Sequence, residues 1–89
     1  MKAVITVTGK DSVGIVAKVS VKCAEASANI VDISQTVLDD YFAMIVLVDI
    51  DKLSMDFGAF VDEMEKMGLE NGLCIATMHE DIFNSMHRI

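Results

Sequence analysis

The first residues set a two-residue rhythm. Ala3, Ile5 and Val7 fall on one face of an extended chain and Val4, Thr6 and Thr8 on the other, a β-branched run that predicts a strand. The rhythm breaks at Gly9-Lys10-Asp11-Ser12-Val13-Gly14, where two glycines bracket a turn. From there the spacing becomes three and four. Val13, Val16, Ser20, Cys23 and Ser27 share one side of a predicted helix, and Lys18, Lys22 and Glu25 the opposite side. Asn29, a residue that tolerates the left-handed conformation, is expected to end that helix together with Ala28.

Ile30-Val31-Asp32-Ile33-Ser34-Gln35-Thr36-Val37 alternates as a half-exposed strand, Asp39-Asp40 makes a tight connection, and Phe42 to Ile50 is an apolar run, so the three together predict a hairpin. Its second strand, Phe42 to Val48, is apolar on both faces, as expected where a strand is covered on both sides. Ser54 and Asp56 offer caps to a second helix. In it Phe57, Phe60, Val61, Met64 and Met67 keep helical spacing, Asp62, Glu63, Glu65 and Lys66 face water, and closure is expected near Gly68. Asn71-Gly72 then turns the chain into a fourth strand, Leu73 to Met78. Beyond it Ile82, Phe83, Met86 and Ile89 form one stripe of a short amphipathic helix over 80–89, which needs a surface to dock on.

The order β-α-β-β-α-β is the split βαβ arrangement. It predicts an α+β, ferredoxin-like sandwich: a four-stranded antiparallel sheet with two helices on one face, plus a short C-terminal helix. No proline, repeat or linker divides the chain, so residues 1–89 read as one domain with its core in 2–78 and a tail helix in 80–89.

Composition adds partners and compartment. With 53% hydrophobic residues, the chain is generous in apolar side chains for its 89 residues, and a small monomer leaves much of its surface exposed. A homo-oligomer, at least a dimer, is expected. Seven Lys and Arg against fourteen Asp and Glu give a net charge of −7 with no basic cluster, which argues against nucleic acid and anionic membrane as partners. Asp49 and Asp51 cut short the best apolar run, and Met1-Lys2-Ala3-Val4 enters a strand pattern at once without a signal-peptide pattern, so a soluble cytoplasmic protein is expected. Cys23 and Cys74 each lie inside a periodic apolar segment and read as small buried thiols in a reducing compartment.

The strand-to-helix corner carries the chemistry. Asp11 or Ser12 can cap the helix by accepting its unpaired amide protons, with Gly14 as a close-packing glycine of the first turn. Alternatively, those amides are donors for a small polar molecule.

Gly9-Lys10-Asp11-Ser12-Val13-Gly14-Ile15-Val16, followed one helix later by Ala28-Asn29-Ile30-Val31-Asp32-Ile33, resembles the ACT domain, a small regulatory fold that commonly binds amino acids. The resemblance runs from Lys2 to Met78. The chain also looks like the stand-alone ACT proteins related to the ACT repeats of glycine-cleavage repressors, whose tail is similar to Ile82-Phe83-Asn84-Ser85-Met86-His87-Arg88-Ile89. The resemblance implies an amino-acid effector bound between the corner and the start of the second strand, usually across a subunit interface. Its ligand-binding positions would be Asp11, Ser12, Val13, Gly14 and Ile15, with Asn29 and Ile30 supplied by a neighbouring chain. Some members have an amide side chain where this chain has Asp11. An ionised carboxylate accepts but cannot donate, so it suits a ligand ammonium, leaving a ligand carboxylate to Lys10 or the helix N-terminus.

Other chemistries on this fold are disfavoured by residue type. The first loop has no arginine to hold a phosphoryl group, no pair of thiols for a soft metal, and the chain lacks the aromatic and basic strand positions of an RNA-binding sheet. Asp39, Asp40, Asp49 and Asp51 supply oxygen ligands of the kind that suit Ca²⁺ or Mg²⁺, but solvated turn acids are the commoner case. His79 and His87 have no spaced partner to orient them and read as polar surface or interface residues. The expectation is a non-enzymatic, cofactor-free and metal-free regulatory module. The alternative is a structural adaptor that binds no ligand and docks on a separate enzyme or regulator.

Overall fold

The computed structural model describes residues 1–10 and 13–86. Seven elements follow in order: β1 (Lys2–Lys10), α1 (Ile15–Glu25), β2 (Asn29–Leu38), β3 (Tyr41–Asp49), α2 (Phe57–Glu70), β4 (Leu73–His79) and α3 (Glu80–Met86). The strands form one antiparallel sheet in the order β2-β3-β1-β4. The expected ferredoxin-like architecture, C-terminal helix included, is therefore present. No helix among the described residues is long and apolar enough to cross a membrane.

Alternation along the two central strands decides where the core lies. Ala3, Ile5 and Val7 of β1 and Met44, Val46 and Val48 of β3 are buried, and they meet Ile15, Val19 and Cys23 of α1 and Phe60, Met64 and Met67 of α2. Burying such a side chain contributes about 1.5–3 kcal/mol. β3 is covered on one face rather than on both, because α1 and α2 lie on the same side of the sheet; Ala43 and Ile45 are exposed on the other. Val4 also faces away from α1 and α2, yet it is buried. α3, which packs against β1 and β4, is the element available to cover it.

Several local expectations change. Of the predicted face of α1, Cys23 is buried and Ser20 half-buried, but Val13, Val16 and Ser27 are exposed, and Ile15 and Val19 are buried instead, with Ala26 at the C-cap. Outside the Lys18, Lys22 and Glu25 stripe the helix is apolar or small, so spacing alone could not choose between two adjoining stripes. The left-handed residue that stops α1 is Ser27 (φ 60°), not Asn29, which opens β2. Ala28 N–H donates to the Cys23 carbonyl (2.9 Å) and Ser27 N–H to that of Ala24 (3.1 Å), the paired bonds of a Schellman cap. In β2 a bulge between Ile30 and Asp32 brings Ile30 and Ile33 to the core side together, where strict alternation would have separated them.

α2 runs past Gly68 to Glu70, and its N-cap residue Asp56 makes no side-chain capping bond. Gly68 does not close the helix; it is the point where the helix touches the sheet. A Cβ there would lie 2.8 Å from Ile75 Cγ1 and 3.0 Å from the Leu73 carbonyl oxygen. Cys74 is exposed, while Cys23 is buried as expected. In α3, Phe83 is half-buried but Ile82 and Met86 are exposed, and Ile89 lies outside the described residues.

Gly68→Ala gains about 1 kcal/mol of helix propensity but pushes the helix off the sheet, an overpacking cost of about 1–3 kcal/mol. The expected net is a loss of stability, read as a lower urea midpoint. An unchanged or raised midpoint would mean that α2 can move away from Ile75 freely.

Candidate functional site

The two glycines of the corner serve different ends. At Gly9 a Cβ would sit 2.8 Å from Leu73 Cδ2 and 3.1 Å from the Gly72 carbonyl, so this glycine lets β1 and the start of β4 approach. Among the described residues Gly14 has nothing within 4 Å of where its Cβ would be, but its φ is 85°. The expected close-packing role is thus replaced by a conformational one: Gly14 takes the left-handed backbone that redirects the chain from β1 into α1.

Gly14 also occupies the N-cap position of α1, and with no side chain it makes no capping bond. Its carbonyl accepts the first helical bond, from Lys18 N–H at 3.0 Å. The amides of the first turn carry the positive end of the helix dipole, and an eleven-residue helix is long enough to have one. Asp11 and Ser12, predicted as caps or ligand contacts, lie outside the described residues.

The other predicted contacts divide by position. Val13 is 96% exposed at the corner, next to Gly14. Ile15 is buried in the core, so what it can present outward is its backbone amide rather than its side chain. Asn29 and Ile30 are elsewhere. Lys2 pairs with Asp49, and Asp49 with Asn29, whereas Lys10 pairs with Tyr41. The start of β2 is therefore at the opposite end of the sheet from the corner, about 26 Å away at a strand rise of about 3.3 Å per residue. Within one chain the predicted site is in two pieces.

Asn29 lies in an open depression of about 600 Å³ with Ala24, Ser27, Asp49, Asp51 and Lys52. Asp49 is committed within it, accepting the Asp51 amide at 2.9 Å. The carboxylate of Asp51 pairs with the Met1 ammonium, and this hydrogen bond raises the ammonium pKa. Sequence reading noted the two acids, gave Ser27 to the packing face of the first helix, and missed Lys52 beside them. The signal was present in Ser27-Ala28-Asn29, a cluster of small and polar residues that ends one element and starts the next.

Side chains elsewhere are tied to the fold. Lys18 donates to Asn71 Oδ1 (2.8 Å) and Lys22 to Glu63 Oε2 (3.2 Å), linking α1 to α2. His79 is half-buried and stacks on Phe57, with ring centroids 4.1 Å apart, which replaces the expected surface role by a packing one. Among the described residues no group of three or more His, Cys, Asp or Glu side chains is placed to hold a metal ion. Burial pushes the Cys23 thiol up to about 11, a direction opposite to that of a reactive thiolate.

Because the folded thiol has the raised pKa, its neutral form is the one that the fold favours. The stability this gives is intact below the unfolded value of about 9 and is lost as pH rises toward about 11. A urea midpoint that falls between those pH values, with a shallower fall in Cys23→Ala, is expected. Thiol titration should count one fast-reacting group in the native chain and two in denaturant; two fast groups in the native chain would contradict the burial of Cys23.

Comparison with known proteins agrees with this geometry. The profile of the ACT domain matches residues 2–77. A UPF0237 protein of Methanocaldococcus jannaschii is 51% identical over 88 residues, 99% of this chain and 98% of that one. Among solved structures, an ACT domain protein from Streptococcus pneumoniae superimposes with a TM-score of 0.82 at 48% identity, covering 98% of each chain. A formyltetrahydrofolate deformylase from Pseudomonas putida shares the fold at 12% identity, with a TM-score of 0.80 over 91% of this chain and 30% of its own. With the family profile matching residues 2–77 and relatives about half identical along nearly the whole chain, this protein belongs to the ACT domain family of regulatory, small-molecule-binding modules.

Proposed function

We propose that this protein is a cytoplasmic sensor of a free amino acid, without catalytic turnover, that acts as a homo-oligomer. The observation that carries the reading is the corner at Gly14, where a left-handed residue without a side chain stands at the head of α1 and no other described residue lies within 4 Å of where its Cβ would be. The first-turn amides suit the carboxylate of an amino acid. Asp11 suits its ammonium, and Ser12, Val13 and the amide of Ile15 complete this half of the cleft.

The second half comes from a neighbouring chain. β2 is an edge strand of ten residues; past the bulge at Ile30–Asp32 it carries no charged side chain from Ile33 to Leu38, which leaves that stretch of the edge open to pairing. Antiparallel pairing of two β2 edges about a twofold axis carries the start of one strand toward the corner end of the other sheet. Asn29 and Ile30 of the neighbour are then carried toward the Gly14 corner, the two ends of the sheet that one chain by itself holds about 26 Å apart at a rise of about 3.3 Å per residue.

A thermal-shift screen against the common amino acids tests this. A ligand at one hundred times its Kd adds about 2.7 kcal/mol, and each kcal/mol moves the Tm of a domain this size by about 4–8 °C. One amino acid should therefore raise the Tm by about 10 °C or more. Gly14→Asn keeps the left-handed backbone at little cost while filling the open space, and should abolish that shift. Asp11→Ala should weaken binding about 10- to 100-fold by calorimetry, the worth of a hydrogen bond to a charged group. Asn29→Ala should weaken it too, through the neighbouring chain. If no amino acid shifts the parent, the adaptor reading takes its place.

A further inference from the structure

β4 is the other edge of the sheet, and the register decides which of its backbone groups point outward. Ile50 N–H donates to the Met1 carbonyl at 3.0 Å, which extends the β1–β3 ladder by one pair. Ala3, Ile5 and Val7 therefore turn their backbone groups toward β3, and Val4, Thr6 and Thr8 turn theirs toward β4. Their partners Met78, Ala76 and Cys74 face inward, so the amides and carbonyls of Leu73, Ile75 and Thr77 point off the edge. Among the described residues no strand or loop pairs with them. From Leu73 to Met78 the strand carries no charged side chain and no bulge, two of the usual protections of an edge.

α2 lies over this edge and gives it a wall. Gly68 lets the helix approach Ile75 and the Leu73 carbonyl. Beside it Glu65 and Leu69, one turn apart, border an open groove of about 550 Å³ whose floor is residues 73–76. Leu69 is 74% exposed. The charge around the groove has one sign. Glu65 lines it, Asp62 stands one turn before Glu65, and Glu70 ends the helix. Lys66, the one basic residue of α2, lies about 100° farther round from Glu65. The last turn holds no basic residue, so nothing in it offsets the negative end of the helix dipole, which adjoins Gly72 and Leu73.

We propose that the β4 edge binds an extended, lysine- or arginine-bearing segment of a different protein, which joins the sheet as a fifth strand with a basic side chain beside Glu65. Main-chain hydrogen bonds to Leu73, Ile75 and Thr77 hold the segment, and its alternate side chains enter the groove against Leu69 and Glu65. Six residues, about 20 Å at a rise of about 3.3 Å each, run along nearly all of β4. A second copy of this chain does not supply such a segment. Two copies repel at a net charge of −7 each, and neither edge strand, β2 or β4, carries a Lys or Arg to meet Glu65. The groove shares no residue with the Gly14 corner or the start of β2, so it stands whether or not an amino acid binds there.

The probe is a synthetic capped peptide, Lys-Val-Lys-Val-Lys-Val, titrated into the full chain at low salt, with amide hydrogen exchange read residue by residue. It should bind, and it should slow exchange at the outward amides of Ile75 and Thr77 while leaving the inward amide of Ala76 unchanged. A proline-interrupted peptide of the same charge, Lys-Pro-Lys-Pro-Lys-Pro, should not protect them, and neither should Glu-Val-Glu-Val-Glu-Val. Glu65→Lys and Leu69→Lys change exposed side chains, and circular dichroism checks that both variants fold. Glu65→Lys should weaken binding about 10-fold or more, the worth of a charge-assisted contact. Three results would overturn the proposal: no binding of the lysine peptide, equal binding of the proline-interrupted one, which would mean charge attraction without strand addition, or affinity unchanged by both variants. Protection of Ile75 and Thr77 before any peptide is added would overturn it as well, since a second copy would then hold this edge.

Discussion

Two helices can cover one face of a four-stranded sheet and no more. In this chain β1 and β3 occupy the centre, and both carry apolar side chains to the helix side, so the core forms between them and α1 with α2. Everything at the periphery follows from that limit. The face away from the helices is left to α3, which reaches β1 and β4 and shelters Val4, while Tyr41, Ala43 and Ile45 stay open. The edge strand β2 contributes the half-buried Ile30 and Ile33 to the core, and its remaining residues are exposed.

The same sheet separates the two parts of the proposed ligand site. β1 runs from the Asn29 end to the corner end, so a chain that folds as one sandwich cannot bring Gly14 and Asn29 together. A site divided in this way gives a binding module a means of regulation. If a ligand touches residues from two chains, it binds the assembled form and not the separate one, and it shifts the equilibrium by the difference in affinity. Sensing and association are then one process.

In the proposed site the corner depends little on side chains. Gly14 contributes a left-handed backbone angle and no side chain, and the first turn of α1 contributes amides. Both are kept in place by core residues one step away: Ile15 and Val19 anchor the helix, and Val7 the strand. A site built mostly from backbone leaves ligand choice to the side chains around it, which suits a fold that also occurs as part of a much longer protein.

Much of this was legible in the sequence. The six core elements, the tail helix, the antiparallel hairpin and the Asn71-Gly72 turn follow from periods of two and of three to four, interrupted by turn residues, because backbone geometry imposes those periods locally. The glycine corner was legible for the same reason. What tertiary structure decided were choices between equally apolar alternatives. α1 is apolar or small outside the Lys18, Lys22 and Glu25 stripe, and its docking on the sheet centred the buried side on Ile15, Val19 and Cys23 rather than on Val16, Ser20 and Cys23. β3 is apolar on both faces, and the placement of both helices on one side left Ile45 exposed. The bulge in β2 put Ile30 and Ile33 on one side, because burying both against the core outweighs one irregular pair in the ladder. Periodicity records which side chains avoid water, but which of two such surfaces goes inside depends on what else in the chain arrives to cover it.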